Sequence, residues 1–207
     1  HVICGDVDEF VVVDPASGET LLQRLSRMPR GPVTTPFGVE LVHRRKDEPA
    51  EVMEGEDENR PLTLLGPRAH VRIASLYTKP CIISAPTRLS RGGHYSDSNL
   101  LVLPGDMYLF HLKYCDFGLY ARTMEKRNAV AAATGVENPA DAMIGREWFA
   151  AHRKDEPIFQ EFDALPVSES FDFAAARAEM QASWRKRNEE FYHFTRLPVT
   201  ELHRLPE

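Results

Sequence analysis

The chain has 207 residues, of which 43% are hydrophobic and 27% are charged, and its formal net charge is −6. These values are typical of a globular protein with one substantial core, and no apolar run has the length of a membrane helix. The negative charge argues against a nucleic-acid partner, since binding to the phosphate backbone needs clustered Lys and Arg. Three cysteines without paired or metal-ligand spacing favour reduced thiols and a cytoplasmic protein.

An acidic cluster lies close to the N-terminus, between two β-prone pieces. Residues 2–5 and 10–14 are rich in apolar and β-branched side chains and predict strands. Between them are Asp6, Asp8 and Glu9. The burial of three carboxylates between core-forming pieces is costly without a counter-ion, so this cluster requires an explanation.

Three segments of different character follow. Residues 19–28 predict a short helix with leucines on one side. Residues 33–43 predict a strand, in which one proline and one glycine suggest an edge position or a bulge. Residues 44–60 hold many charges and little to bury, which indicates a solvated loop.

The middle of the chain contains further strand candidates. They cover residues 82–85, 100–103 and 107–112. The last two are separated by Pro-Gly-Asp at 104–106, a strong turn signal, which predicts a hairpin that ends at His111.

The pattern then becomes helical. Residues 117–135 keep the apolar spacing of a helix, and two more helices are predicted over 140–152 and 173–194. Asp172 is a candidate N-cap of the last one.

Two pairs of residues suggest a metal site. Asp6 and Asp8 are two positions apart, so at a strand end their carboxylates can converge on one point and need a cation between them. Oxygen ligands of this kind suit Mg²⁺ or Mn²⁺, which keep positions open for phosphate oxygens and so imply a diphosphate ligand. His94 follows a Gly-Gly turn and His111 ends the predicted hairpin strand, so both are placed to leave the core, and imidazole is a common ligand of Mn²⁺.

Four blocks together resemble bacterial glycosyltransferases related to family two, of the GT-A type. They are the acidic block at 6–10, Lys79-Pro80, Gly-Gly-His at 92–94 and "LFHLKYCD" at 109–116. The resemblance covers roughly residues 1–130, and "DVDEF" is its most specific part.

This resemblance implies an α/β fold, namely the C-terminal portion of a GT-A-like mixed sheet with flanking helices, followed by a helical tail. Residues 1–135 would form the metal-binding and acceptor-side part, and residues 136–207 a helical extension. The acidic block would end a central strand. A complete enzyme of this type has on the order of 100 residues ahead of that block, whereas this chain has five, so we expect the N-terminal nucleotide-binding half to be lacking.

The resemblance also implies roles for four residues around the metal. Asp6 would lie near the ribose or a metal-bound water, and Asp8 would coordinate Mn²⁺ or Mg²⁺. His111 is the first choice for a later metal ligand, and His94 is the second, with the acceptor or a phosphate as its alternative contact. The cation would neutralise the charge that develops on the nucleoside diphosphate leaving group.

Further roles follow from transfer of a sugar from a nucleotide-sugar donor to a saccharide or other hydroxyl acceptor. Lys113 would add positive charge near the diphosphate. If the reaction inverts the anomeric centre, a carboxylate must accept the proton of the acceptor hydroxyl, and Asp116 and Asp97 are the candidates.

Two other functions remain open at this stage. One is a metal-dependent phosphoesterase that uses the same acids and histidines around a hydrolytic water. The other is a non-catalytic interaction domain, in which the acids form a solvated turn and the histidines are structural.

Overall fold

A computed structural model describes residues 1–48, 68–90, 92–133, 156–187 and 190–206. This part of the chain contains fourteen strands and four helices. The strands are β1 (Val2–Ile3), β2 (Glu9–Val13), β3 (Val33–Thr34), β4 (Phe37–Val42), β5 (His70–Ile73), β6 (Ile82–Ile83), β7 (Leu89–Ser90), β8 (Tyr95–Ser96), β9 (Leu101–Val102), β10 (Met107–Tyr114), β11 (Val167–Ser168), β12 (Arg185–Lys186), β13 (Tyr192–His193) and β14 (Leu202–Arg204). The helices are α1 (Leu21–Arg27), α2 (Phe117–Ala133), α3 (Glu156–Ala164) and α4 (Ala174–Ser183). The expected mixed α/β class is confirmed.

The central element is a six-stranded mixed sheet with the strand order β11-β14-β5-β4-β10-β2. Strands β4 and β10 run parallel in its interior, and β2 pairs antiparallel with β10 at the edge. Every residue of β4 is buried, because helices and loops cover both faces. Phe37, Val39 and Leu41 pack in one core cluster together with Phe173 and Met180.

A second core cluster joins the sheet to the helices α2 and α3. Phe159 and Phe162 of α3 are fully buried and pack with Tyr114 and Tyr120. The rings of Tyr114 and Phe159 meet edge to face, with centroids 5.8 Å apart. Among the described residues, no helix combines the length and apolar character needed to cross a membrane.

Two small four-stranded sheets flank the central one. Their orders are β1-β6-β3-β9 and β12-β13-β8-β7. The expected hairpin of residues 100–103 with 107–112 is wrong, because β9 pairs in parallel with β3 while β10 lies between β4 and β2. The turn at 104–106 therefore carries the chain from one sheet to another. The expected single strand over 33–43 is likewise two strands in different sheets, and β4 is an interior strand rather than an edge.

Gly38 explains how a loop can lie directly on the interior strand β4. A Cβ atom at this position would collide with backbone atoms of Thr78 and Tyr77 and lie 2.5 Å from the carbonyl oxygen of Ala74. Glycine therefore allows the 3-10 turn Ser75–Tyr77 to pack on the sheet. This contact fixes the position of Tyr77, which covers the candidate site.

The C-terminal region is not only helical. The helix predicted over 173–194 ends at Ser183, and two short strands follow it, because Trp184 is already extended. The N-cap is Phe173 rather than Asp172. Strands β11 and β14 join the central sheet, which corrects the expected helical tail. The helix predicted over 140–152 and residues 49–60 of the charged loop lie outside the described residues.

Candidate functional site

The acidic turn, residues 5–8, connects β1 to β2. The resemblance implied that this block ends a central strand. This is wrong, because β2 is the edge strand of the central sheet. The position of the turn depends on pairing with β10: Glu9 lies opposite His111, and the backbone N–H of Leu112 donates to the carbonyl of Asp8 over 3.0 Å. An antiparallel partner strand thus carries a histidine to the acids.

A row of charged side chains crosses the three adjacent strands β5, β4 and β10 and ends in the acidic turn. Glu40 lies opposite His111 on one side and opposite Arg72 on the other. We call this set the charge row, and its members in spatial order are Arg72, Glu40, His111 and Asp8. The guanidinium of Arg72 is 2.5 Å from Oε2 of Glu40, whose side chain is fully buried. Oε1 of Glu40 lies 2.6 Å from Nδ1 of His111, and Nε2 of His111 lies 3.4 Å from Oδ2 of Asp8.

The charge row fixes the orientation and protonation of His111. Burial alone would lower the pKa of His111, but its contacts with Asp8 and Glu40 outweigh burial and raise it. The bond with His111 in turn lowers the pKa of Asp8. Tyr77 stacks on the imidazole with centroids 3.6 Å apart and an angle of 17°. Burial raises the pKa of Tyr77, so this hydroxyl stays protonated at neutral pH.

Asp6 and Glu9 have a different partner, Lys79. Its Nζ lies 3.0 Å from Oδ2 of Asp6 and 2.7 Å from Oε1 of Glu9. Burial lowers the pKa of Lys79, but the two carboxylates outweigh burial and raise it. The three acids of the sequence cluster therefore receive counter-charges from within the chain: Lys79 for two of them and His111 for the third.

The metal ligands expected from the sequence are only partly brought together. Asp8 and His111 are adjacent, whereas Asp6 turns toward Lys79. His94 lies beyond Tyr77, with ring centroids 6.1 Å apart. Within the described ranges, no group of three or more His, Cys, Asp or Glu side chains is arranged to hold a metal ion.

The pair Asp8 and His111 fits a metal that takes its remaining ligands from elsewhere. Adjacent ligands of an octahedral ion with bonds of about 2.1 Å lie about 3.0 Å apart, close to the observed 3.4 Å. Glu40 on Nδ1 leaves Nε2 as the nitrogen that faces Asp8, as in carboxylate–histidine pairs that support a metal ligand. Mg²⁺ is commonly bound by one or two protein ligands together with phosphates and waters.

His94 lines a cleft on the other side of Tyr77. The cleft has a volume of about 400 Å³, and its wall includes Arg185, Arg187, Arg196 and His193. Lys79 links the two regions, because its Nζ also lies 3.5 Å from the carbonyl of Gly92, two residues before His94. Burial, with a smaller contribution from Lys79, lowers the pKa of His94 and favours its neutral form.

The three remaining residues expected at the site have structural contacts. Asp116 is buried, pairs with the fully buried guanidinium of Arg68 at 2.6 Å, and accepts a bond from the N–H of Leu119 at the start of α2. Asp97 accepts from Arg88 across the β7–β8 hairpin. Lys113 lies over the Tyr114 ring, 4.7 Å from its centroid. None of these contacts includes Asp8 or His111.

Glu40, Tyr77 and the cleft arginines were not anticipated from the sequence. Glu40 had a signal, since a carboxylate within the apolar run "FGVELV" requires a buried partner. Arg185 and Arg187 are two positions apart, which is the spacing of a strand, but the helix formers around them led to the prediction of a helix over 173–194. Comparison with protein-family models, curated proteins and solved structures found no match to this chain.

Proposed function

We propose that this chain is the metal-binding and acceptor-side part of a GT-A-type glycosyltransferase. It would act on a nucleotide-sugar donor and a hydroxyl acceptor with Mn²⁺ or Mg²⁺. The observation that carries the proposal is the contact of Asp8 with His111, whose other nitrogen is held by the buried Glu40. This contact joins "DVDEF", the most specific part of the resemblance to glycosyltransferases, to "LFHLKYCD", another of its four blocks.

In this proposal Asp8 and His111 hold the cation, which stabilises the negative charge of the departing nucleoside diphosphate. Glu40 orients His111 and keeps Nδ1 engaged, so that Nε2 can give up its proton when a metal binds. Tyr77 covers the imidazole and limits its access to water. Lys79 sets the position of Asp6, whose side chain is 62% exposed and can therefore reach a bound ligand.

We assign the role of catalytic base to neither Asp116 nor Asp97. Asp116 is 1% exposed and already bonded to Arg68 and to the start of α2. Asp97 lies on the outer hairpin with Arg88. Both sets of contacts support a structural role.

The direct test is a measurement of Mn²⁺ binding, with and without UDP or GDP. Electron paramagnetic resonance reports the concentration of the free ion. We expect Asp8→Asn to weaken Mn²⁺ binding at least tenfold. Asp172→Asn is the matched control, since Asp172 is exposed and Asn can accept the same bond from the N–H of Ala174. Equal Mn²⁺ affinity in Asp8→Asn and the unaltered chain would exclude the metal role.

The same preparations distinguish the two other functions. Release of phosphate from p-nitrophenyl phosphate without a sugar acceptor would favour the phosphoesterase. Absence of both Mn²⁺ and nucleotide binding would favour the interaction domain.

A further inference from the structure

Three arginines line the cleft beside the candidate metal pair, and together we call them the arginine wall. Arg185 and Arg187 come from the β12–β13 hairpin, two positions apart and therefore on the same side of the chain. Arg196 follows the hairpin, and the lining also includes Ser75 and Thr78 from the loop that packs on β4. Three guanidinium groups thus line one cleft of about 400 Å³.

This charge has no carboxylate partner in the described part of the chain. The cleft wall contains no Asp or Glu, and the ion pairs among these residues include none of the three arginines. Glu190 forms an ion pair with Arg88, 3.8 Å away. Unpaired guanidinium groups in a concave site attract anions, and their planar forks match phosphate and carboxylate.

His193 helps to hold the arginine wall in place. It lies opposite Arg185 in the hairpin, and its Nε2 is 3.3 Å from a guanidinium nitrogen of Arg187. An unprotonated nitrogen can accept that bond, and burial lowers the pKa of His193 in keeping with this form. Tyr95 stacks on the His193 ring with centroids 5.1 Å apart.

The cleft is separate from the metal pair but adjacent to it. Tyr77 contacts His111 on one side and approaches His94, which lines the cleft, on the other. Neither Asp8 nor His111 lines the cleft. A ligand in the cleft would therefore lie next to a group bound at the metal without sharing its protein contacts.

We infer that the cleft binds an anionic group of the acceptor, either a phosphate or a carboxylate. The term acceptor rests on the proposed function, whereas the anion site rests on the arginine wall alone. A diphosphate donor would have its charge balanced by the divalent cation that Asp8 and His111 would hold, which leaves the cleft for the second substrate. Its volume is in the range of sites for small molecules.

Calorimetric titration with inorganic phosphate, glucose 6-phosphate, glucuronate and glucose tests this inference. We expect the three anions to bind and glucose to bind at least tenfold more weakly. The double variant Arg185→Gln with Arg187→Gln should lose at least tenfold in affinity for the anions. Arg88→Gln is the matched control, because Arg88 is an exposed arginine beside the same small sheet and outside the cleft.

Other results would overturn the inference. Failure of all three anions to bind the unaltered chain excludes an anion site. If the double variant loses as much affinity for UDP in the presence of Mn²⁺ as it does for the anions, the cleft is assigned to the donor diphosphate instead. If the anions bind at the cleft but neither Mn²⁺ nor nucleotide binds the chain, the anion site is retained and its assignment to an acceptor is overturned. Failure of the proposed function is therefore distinguished from failure of the anion site.

Discussion

Substitution of Glu40 by glutamine tests the centre of the charge row. Glu40 is fully buried and contacts two basic groups, with its oxygens 2.5 Å from Arg72 and 2.6 Å from His111. Glutamine keeps the shape of the side chain but removes its charge. Arg72 and His111 would then face a neutral amide in a buried site.

The size of the effect follows from these contacts. Removal of one partner from a buried ion pair costs about 3–5 kcal/mol. Arg72 is partly exposed, with 16% of its side chain accessible, and its guanidinium also lies 5.0 Å from the Phe162 ring centroid. We therefore expect the lower end, a loss of about 3 kcal/mol in the free energy of unfolding, or about 6–12 °C in the midpoint of thermal unfolding.

Mn²⁺ affinity should fall as well, because Glu40 no longer holds the Nδ1 proton of His111. Loss of such an outer partner costs about 10–100-fold in metal affinity. Arg72→Leu is the comparison variant: it also breaks the buried pair but leaves Glu40 on His111. We expect a similar loss of stability and Mn²⁺ affinity within about twofold of the unaltered chain. Unchanged Mn²⁺ affinity in Glu40→Gln, or equal weakening in both variants, would refute the positioning role.

Three further predictions concern the same region. The pKa of His111 is raised above its ordinary 6.5, so protonated His111 stabilises the fold fully below pH 6.5, as long as Asp8 is ionised, and this stabilisation is lost as pH rises through the folded pKa. Mn²⁺ affinity should rise over the same pH interval, because the metal binds the neutral imidazole. NMR titration of the imidazole gives the midpoint with which both changes are compared. Gly38→Ala should destabilise the fold by about 3 kcal/mol in chemical denaturation because of backbone collisions, whereas Gly105→Ala, which meets nothing within 4 Å, should change it by less than about 0.5 kcal/mol. Asp116→Ala should lower stability by about 3–5 kcal/mol, since it removes one partner of a fully buried ion pair. The Mn²⁺ affinity of the folded fraction should not change. A selective loss of transferase activity in a stable Asp116→Ala protein would instead support the base role.

Local signals in the sequence predicted individual elements better than their pairing. Residues 19–28 and 117–135 were predicted as helices, and α1 and α2 lie within these ranges. The strand at 107–112 corresponds to β10. The hairpin at 104–106 failed because Pro-Gly-Asp specifies a change of direction but not which strand becomes the neighbour. The final helix was too long because helix formers outnumber the alternating arginines, whose extended form depends on pairing with β13.

The sequence by itself determined the chemical types of the candidate site: carboxylates close to the N-terminus, histidines after them, and a mixed α/β chain with enough apolar residues for a core. Tertiary structure alone decided which groups meet. Asp8 and His111 are 103 positions apart in sequence and come together through strand register, whereas Asp6, two positions from Asp8, turns to Lys79. The physical reason is that burial of a charge requires a partner, and only the folded sheet determines which partner lies within reach.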